Sequence, residues 1–253
     1  MRITLFLSLL VGLWFVSNST PISAVDVTDQ VNKTVTLAPG SNVRISGING
    51  RVNVESGEGD KAEINVSIKA SSQEALERRP LIIERTANSL VIKTEDDREG
   101  RRWGRDSGWV RHEVRVKLPR NVNLKVSGVN GGVNVGDIAG SVNVSGVNGR
   151  VEVAHAGTST ELSGINGHTS ISLDGIGERG LRVSGINGGV SIGLPAEINA
   201  NVDVNGINGG IDSDLSISVI GEMKRGQLKG TLGAGGPSIH VSGINGGVNL
   251  KRN

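Results

Sequence analysis

One five-residue motif recurs along this 253-residue chain and limits what it can fold into more than any other feature. It reads Ser46-Gly47-Ile48-Asn49-Gly50 and returns at 127–131, 145–149, 163–167, 184–188, 205–209 and 242–246, with Val for Ile or Asn for the leading Ser. Counted between first glycines, the steps are 81, 18, 18, 21, 21 and 37 residues. A short fixed period means that each repeat is one small unit, which must stack on its neighbours to bury an apolar face. The 37-residue step is close to two ordinary ones, so one repeat is expected to have lost its motif near 224–230. The 81-residue step must contain something else.

Period-two alternation flanks each motif, as in Val142-Asn143-Val144 before one copy and Val151-Glu152-Val153 after it. Alternating β-branched residues put one strand face inward and the other in water. Asn-Gly offers the positive-φ positions of a tight turn. The aliphatic residue inside the motif (Ile48, Val129, Val147, Ile165, Ile186, Ile207, Ile244) breaks the alternation, so it is expected to point into a shared core.

Two architectures generate such a pattern. In one, Asn-Gly closes β-hairpins of a meander, sandwich or propeller. In the other, the motif is one corner of a coil, and coils stack in parallel as a β-solenoid. Steps of 18 to 21 residues suit a three-sided coil of short strands and are short for a propeller blade of about 40 residues. The expected fold is therefore all-β, a single-stranded parallel β-helix or solenoid over 25–253. Stacked coils about 4.8 Å apart would bring Asn49, Asn130, Asn148, Asn166, Asn187, Asn208 and Asn245 into a ladder of side-chain amides.

The repeated Gly-Ile/Val-Asn turns resemble the bacterial exported family of putative adhesins with a head GIN domain, and a related β-strand-repeat domain of unknown function. Leu228-Lys229-Gly230-Thr231-Leu232-Gly233-Ala234-Gly235-Gly236-Pro237 before the last motif carries the same resemblance, as does Val116-Lys117-Leu118-Pro119. The likeness covers roughly 31–250. It implies a right-handed β-helix and an adhesin-like role, and it brings no catalytic residues to carry over.

Between 62 and 118 the repeat is interrupted. Residues 62–70 alternate as a strand, and Ser71-Ser72-Gln73-Glu74 has the spacing of a capping box that starts one helical turn, ended by Pro80. Residues 81–84 and 90–94 read as strands joined at Ala87-Asn88, and 110–118 as the strand entering the repeats. The expected form is a flap projecting from the solenoid at about 71–111. Its polar part gathers Arg98, Arg101, Arg102, Arg105 and Arg111 around Trp103 and Trp109, the only aromatic residues after residue 24. Tryptophan beside arginine can stack on sugar rings or clasp an anionic polymer. Trp103, Trp109, Arg101, Arg102 and Arg105 are the candidate ligand-binding residues; a solvated loop with its tryptophans folded back is the plainer alternative.

Met1-Arg2, the apolar run 3–16 and Ile22-Ser23-Ala24 before Val25 match a signal peptide over 1–24, although an uncleaved anchor has the same composition. The run is short for a membrane span of about 20 residues. There is no cysteine, hence no disulfide and no lipid-bearing cysteine. A formal charge of +2 argues against a dedicated nucleic-acid binder. The expectation is a periplasmic or secreted protein without a further membrane span.

Catalytic groups are sparse. His112, His155, His168 and His240 are scattered without metal-ligand spacing, and no cofactor motif is present. Asp174, Asp203, Asp212 and Asp214 would make a polysaccharide-cleaving groove only if the repeats gathered them. The leading expectation is a non-catalytic structural or interaction module of the cell envelope, with envelope glycan or another envelope protein as partner. A carbohydrate-active β-helix enzyme is the alternative, and a partner of a membrane system that adds strands at an edge is a third reading.

Overall fold

The computed structural model describes residues 26–95, 108–154, 157, 159–221 and 224–253. The signal-peptide expectation therefore lies outside the described residues, as do Arg98, Arg101, Arg102, Trp103, Arg105 and His155.

The N-terminal part contains β1 (Val27–Thr36), β2 (Asn42–Ser46), β3 (Gly50–Gly57), β4 (Lys61–Ala70), a short helix α1 (Gln73–Glu77), β5 (Leu81–Thr86), β6 (Ser89–Thr94) and β7 (Val110–Pro119). The central repeats supply β8 (Asn123–Val129), β9 (Val133–Val135), β10 (Ser141–Asn148), β11 (Val151–Ala154), β12 (Ser159–Asn166), β13 (Thr169–Ser172), β14 (Leu181–Asn187) and β15 (Val190–Leu194). The C-terminal part adds β16 (Ala200–Ile207), β17 (Ile211–Ser213), β18 (Ile217–Val219), β19 (Leu228–Leu232), β20 (Ser238–Asn245) and β21 (Val248–Arg252).

The described strands form two large sheets and no closed barrel. The first sheet has ten strands in the order β1-β4-β7-β3-β9-β11-β13-β15-β21-β17. The second has eleven, ordered β18-β19-β16-β20-β14-β12-β10-β8-β2-β6-β5. Each repeat gives its leading strand to the second sheet and its following strand to the first, with the motif at the corner between them. Successive repeats pair in parallel and in register, Ser145 against Ser163 and Asn148 against Asn166. The third side of the coil carries no regular strand: around Gly136-Asp137-Ile138-Ala139-Gly140 it is a connection, stacked on its neighbour through Gly157 N–H donating to Ile138 O at 2.9 Å. Glycine at two of those positions and aspartate at a third remove the alternation a strand needs.

The core is the space between the sheets. Val126, Val144, Leu162, Val183, Val241 and Val204 face it from the second sheet, and Val135, Val153, Ile171, Ile192 and Leu250 from the first; all are buried. The motif's aliphatic residue joins them, from Ile48 at 1% exposed to Ile207 at 7%. The parity break works through the first glycine. Gly146 has φ +62°, a left-handed step that leaves both Ser145 and Gly146 outside and returns Val147 to the core. The second glycine is needed for space: a Cβ on Gly149 would lie 2.3 Å from Gly131 O of the preceding repeat.

Three expectations change here. The sheets are mixed rather than those of a purely parallel β-helix, because β1, β4 and β7 pair antiparallel at one end, as do β5 with β6. At the other end β19 pairs antiparallel with β16 and with β18. Among the described residues, which leave out 96–107, the interruption does not form a flap between repeats. The first motif stacks directly on the second, Ser46 on Ser127, and the described strands of the insertion extend both sheets beyond it as an end cap. Finally, the described residues of the 37-residue step do not form a repeat that has lost its motif. The chain runs out to β16–β17, adds β18 and β19, and returns to place β20–β21 between repeats already laid. The helical turn in the cap has Ser72, not Ser71, as its N-cap; Ser72 Oγ accepts from Ala75 N at 3.1 Å.

Candidate contact surface

The outer faces of the sheets follow from register. On the first sheet one outward row runs across all ten strands, from Asn32 and Asn65 through Arg115, Asn53, Asn134 and Glu152 to Ser170, Ser191, Asn249 and Asp212. The row is mostly small and neutral, with charge at Arg115, Glu152 and Asp212. A parallel row sets Ser67 opposite Glu113 and Glu113 opposite Arg51. Gly132 comes next, followed by Arg150.

Arg51 and Arg150 thus flank a residue without a side chain, with backbones two strand spacings apart, about 9.6 Å. A shallow open trough of about 720 Å³ results, lined by these arginines with Asn53, Glu55, Glu113, Arg115, Asn134 and Glu152. Arg115 pairs with Glu113 at 2.6 Å and Arg150 with Glu152 at 3.6 Å. Both pairs are exposed, so each holds its side chains only weakly and leaves them available to a ligand.

Three arginines and three glutamates balance in this trough, and an excess of positive charge begins toward the cap. Lys69 and Arg111 are directly opposite each other and exposed, beside Arg51 and Glu113 in an adjoining trough. Like charges placed so are costly unless an anion joins them. One step further, Trp109 is 45% exposed, with its backbone N–H donating to Ser71 Oγ at 3.0 Å. Of the Trp-Arg group named from the sequence, Arg111 and Trp109 are the described members, and Trp109 borders this cationic end.

Beneath the same face His112 is buried, 1% exposed, with neither ring nitrogen hydrogen-bonded among the described residues. Burial holds its pKa below the ordinary 6.5; the nearby Asn49 carbonyl opposes this, and the Arg79 charge adds to it.

Along the motif corner the seven asparagines lie in one line. Asn208 Nδ2 donates to Asn245 Oδ1 at 3.1 Å, Asn245 to Asn187 at 2.9 Å, and Asn187 to Asn166 at 2.9 Å. Asn166 donates to Asn148 at 3.2 Å, Asn148 to Asn130 at 3.1 Å, and Asn130 to Asn49 at 3.1 Å. Asn49 Nδ2 ends the run on Val110 O at 2.6 Å, in the cap. All seven are exposed, and Asn245 stands between Asn187 and Asn208 because its repeat does.

The carboxylates considered for catalysis do not come together. Asp203 faces His240 at 3.4 Å on the second sheet, Asp212 belongs to the first, and Asp214 accepts from Arg252 N at 2.7 Å. Asp174 follows β13. No group of three or more His, Asp or Glu among the described residues is placed to hold a metal. No described helix is long and apolar enough to cross a membrane.

No family model matches the chain, and no curated protein matches it by sequence. Solved structures do. A putative cell adhesion protein from Clostridium sporogenes superposes with a TM-score of 0.51 at 14% identity, over 90% of this chain and 100% of that one. The two share a fold. A putative adhesin from Bacteroides fragilis gives 0.41 at 11% identity, over 89% and 97%. A putative lipid binding protein from Parabacteroides distasonis gives 0.29 at 13% identity, over 89% and 97%. At these identities the likeness reaches the fold alone, so the resemblance to the head GIN group rests on the motif residues.

Arg51, Arg115 and Arg150 do not stand out in the sequence. For Arg51 and Arg150 the signal is the residue after each motif, which is Arg at 51 and 150, His at 168 and Gly in the other copies; Arg115 lies outside the motifs. Only the stacking order makes neighbours of them.

Proposed function

We propose that this chain is an exported, non-catalytic contact module of the bacterial cell envelope whose charged face receives an anionic glycan. One observation carries the reading: Arg51 and Arg150 flank Gly132 on a flat exposed sheet that continues through Lys69 and Arg111 to Trp109. A guanidinium on each side of a gap suits a carboxylate or sulfate, since arginine bonds such groups through paired N–H donors. An exposed indole at the border adds a stacking surface for a sugar ring. The adhesion names of the structural neighbours agree with a binding role, and residues 1–24 with export. We read the parallel centre as a short β-solenoid serving as a rigid platform.

The test is retention on immobilised polygalacturonate against dextran, at low and high salt. The chain should be retained on the acidic polymer only, and salt should release it. Arg51→Ser with Arg150→Ser should lower affinity about tenfold, or about 1.4 kcal/mol, with thermal unfolding unchanged. Trp103→Ala with Trp109→Ala should lower it further. Equal retention of all variants would sink the glycan reading, whereas release of new reducing ends would make the chain a carbohydrate-active enzyme.

A further inference from the structure

The last repeat sits out of sequence order. β20 lies parallel to β14 on one side, Ser184 opposite Ser242, and parallel to β16 on the other, Asn205 opposite Ser242. β21 is held between β15 and β17 in the first sheet. The segment fills a slot whose walls both precede it in the chain, and it buries Ile239, Val241, Ile244, Val248 and Leu250 there.

It reaches the slot through residues 233–237. Since β19 and β20 flank β16 on opposite sides, these five residues cross over the start of β16, about 9.6 Å. Asn199 Oδ1 accepts from Ala234 N at 2.7 Å, and Asn201 Nδ2 donates to Gly236 O at 2.7 Å. Gly233 and Gly235 take φ of 56° and 78°, conformations other residues adopt only with strain.

We propose that the C-terminal repeat is exchangeable, and that the slot between β14–β15 and β16–β17 accepts the C-terminal repeat of a second copy of this chain. Until the repeat arrives, the slot presents open strand edges in both sheets. The entering segment makes the same ladder and core contacts whichever copy supplies it. Only the connection decides between self and partner, and short, conformationally demanding connections favour exchange. Reciprocal exchange closes a dimer, and one-way exchange links copies in a row.

The absence of cysteine makes the test clean. Full-length Ser184→Cys and Ser242→Cys chains are refolded together from denaturant and then oxidised. A disulfide-linked heterodimer is expected, severalfold above that from a mixture of Ser163→Cys and Ser184→Cys. Those two are also strand neighbours, but they lie in repeats laid consecutively. Adding Gly233→Val and Gly235→Val should raise the exchanged fraction by straining the crossing. A yield no higher than the control mixture overturns the proposal. So does failure of the Ser184→Cys/Ser242→Cys double variant to form this disulfide either within one chain or between two, because the interleaved order would then be absent.

Discussion

The centre of the stack and its ends are built on different rules. From β8 to β15 every pair is parallel, the motif is kept, and each repeat offers the next a strand edge in the same register. Such a stack has no internal reason to stop, and its open edges would invite further strands. At the ends the motif gives out and strands turn antiparallel: β4 between β7 and β1 at one end, β19 between β16 and β18 at the other. The outermost strands are poor templates. β1 is exposed along most of its length and carries Asp29 and Lys33, while β17 and β18 have three residues each. Repetition supplies rigidity, and departure from it supplies both closure and the charged surface.

The largest break in that contrast should come from a single methyl group. Gly149→Ala puts a Cβ 2.3 Å from Gly131 O, where backbone on both sides cannot yield without spreading the stack. A loss of about 3–5 kcal/mol is expected in denaturant unfolding. Gly59→Ala, in the turn between β3 and β4, has φ +80° but nothing within 4 Å of the new Cβ. It should cost only about 1–2 kcal/mol, the strain of the left-handed backbone. Equal losses would mean that rung-to-rung contact is not what fixes the second glycine.

Acid should separate cap from centre. His112 is kept neutral in the fold, its pKa held below 6.5 by burial and by Arg79, while the unfolded chain takes up a proton near 6.5. The stabilisation is therefore complete above pH 6.5. It is lost as pH falls from there toward the folded pKa, by at most about 1.4 kcal/mol per pH unit. Hydrogen exchange in β4 and β7 should accelerate in that window before exchange in β10 to β13, and His112→Phe should abolish the difference. Uniform acceleration along the stack would place the acid-sensitive group elsewhere.

A smaller effect of opposite sign tests the core of the centre. Thr169 occupies a row otherwise filled by Val133, Val151, Val190 and Val248, fully buried with its hydroxyl lacking a partner among the described residues. Thr169→Val keeps the shape and removes the unsatisfied group, so stability should rise by about 1 kcal/mol. A fall would show that the hydroxyl is bonded in solution.

Much of this division between centre and ends is legible in the residues themselves. The parity break at Ile48 and its counterparts locates the core side of the corner. The alternations over 62–70 and 110–118, and the paired runs ending at Thr94, locate the cap strands. Identical motifs, however, stack equally well in any order, so nothing local shows that 242–246 lies between 184–188 and 205–209. The same degeneracy hides the pairing of the first motif with the second across the insertion, and with it the approach of Arg51 to Arg150. The third coil side reads as a strand by coil length alone, because short aliphatic positions such as Ile138 are buried in connections as well as in strands.

The finest test of centre against end lies in the asparagine line. Asn148→Leu removes a donor to Asn130 and an acceptor for Asn166, whereas Asn208→Leu removes only the donor to Asn245. These amides are exposed, so water replaces part of each lost bond, and neither variant approaches the cost of a buried orphan. We expect about 1 kcal/mol for Asn148→Leu and about half that for Asn208→Leu, read from thermal unfolding at matched pH. If the ladder is cooperative, each amide polarising the next, the middle substitution should exceed twice the terminal one. A ratio near two would reduce the line to independent bonds. Equal effects would mean that the stack is held by its core and strand pairing alone, with the asparagines kept for the turn they make.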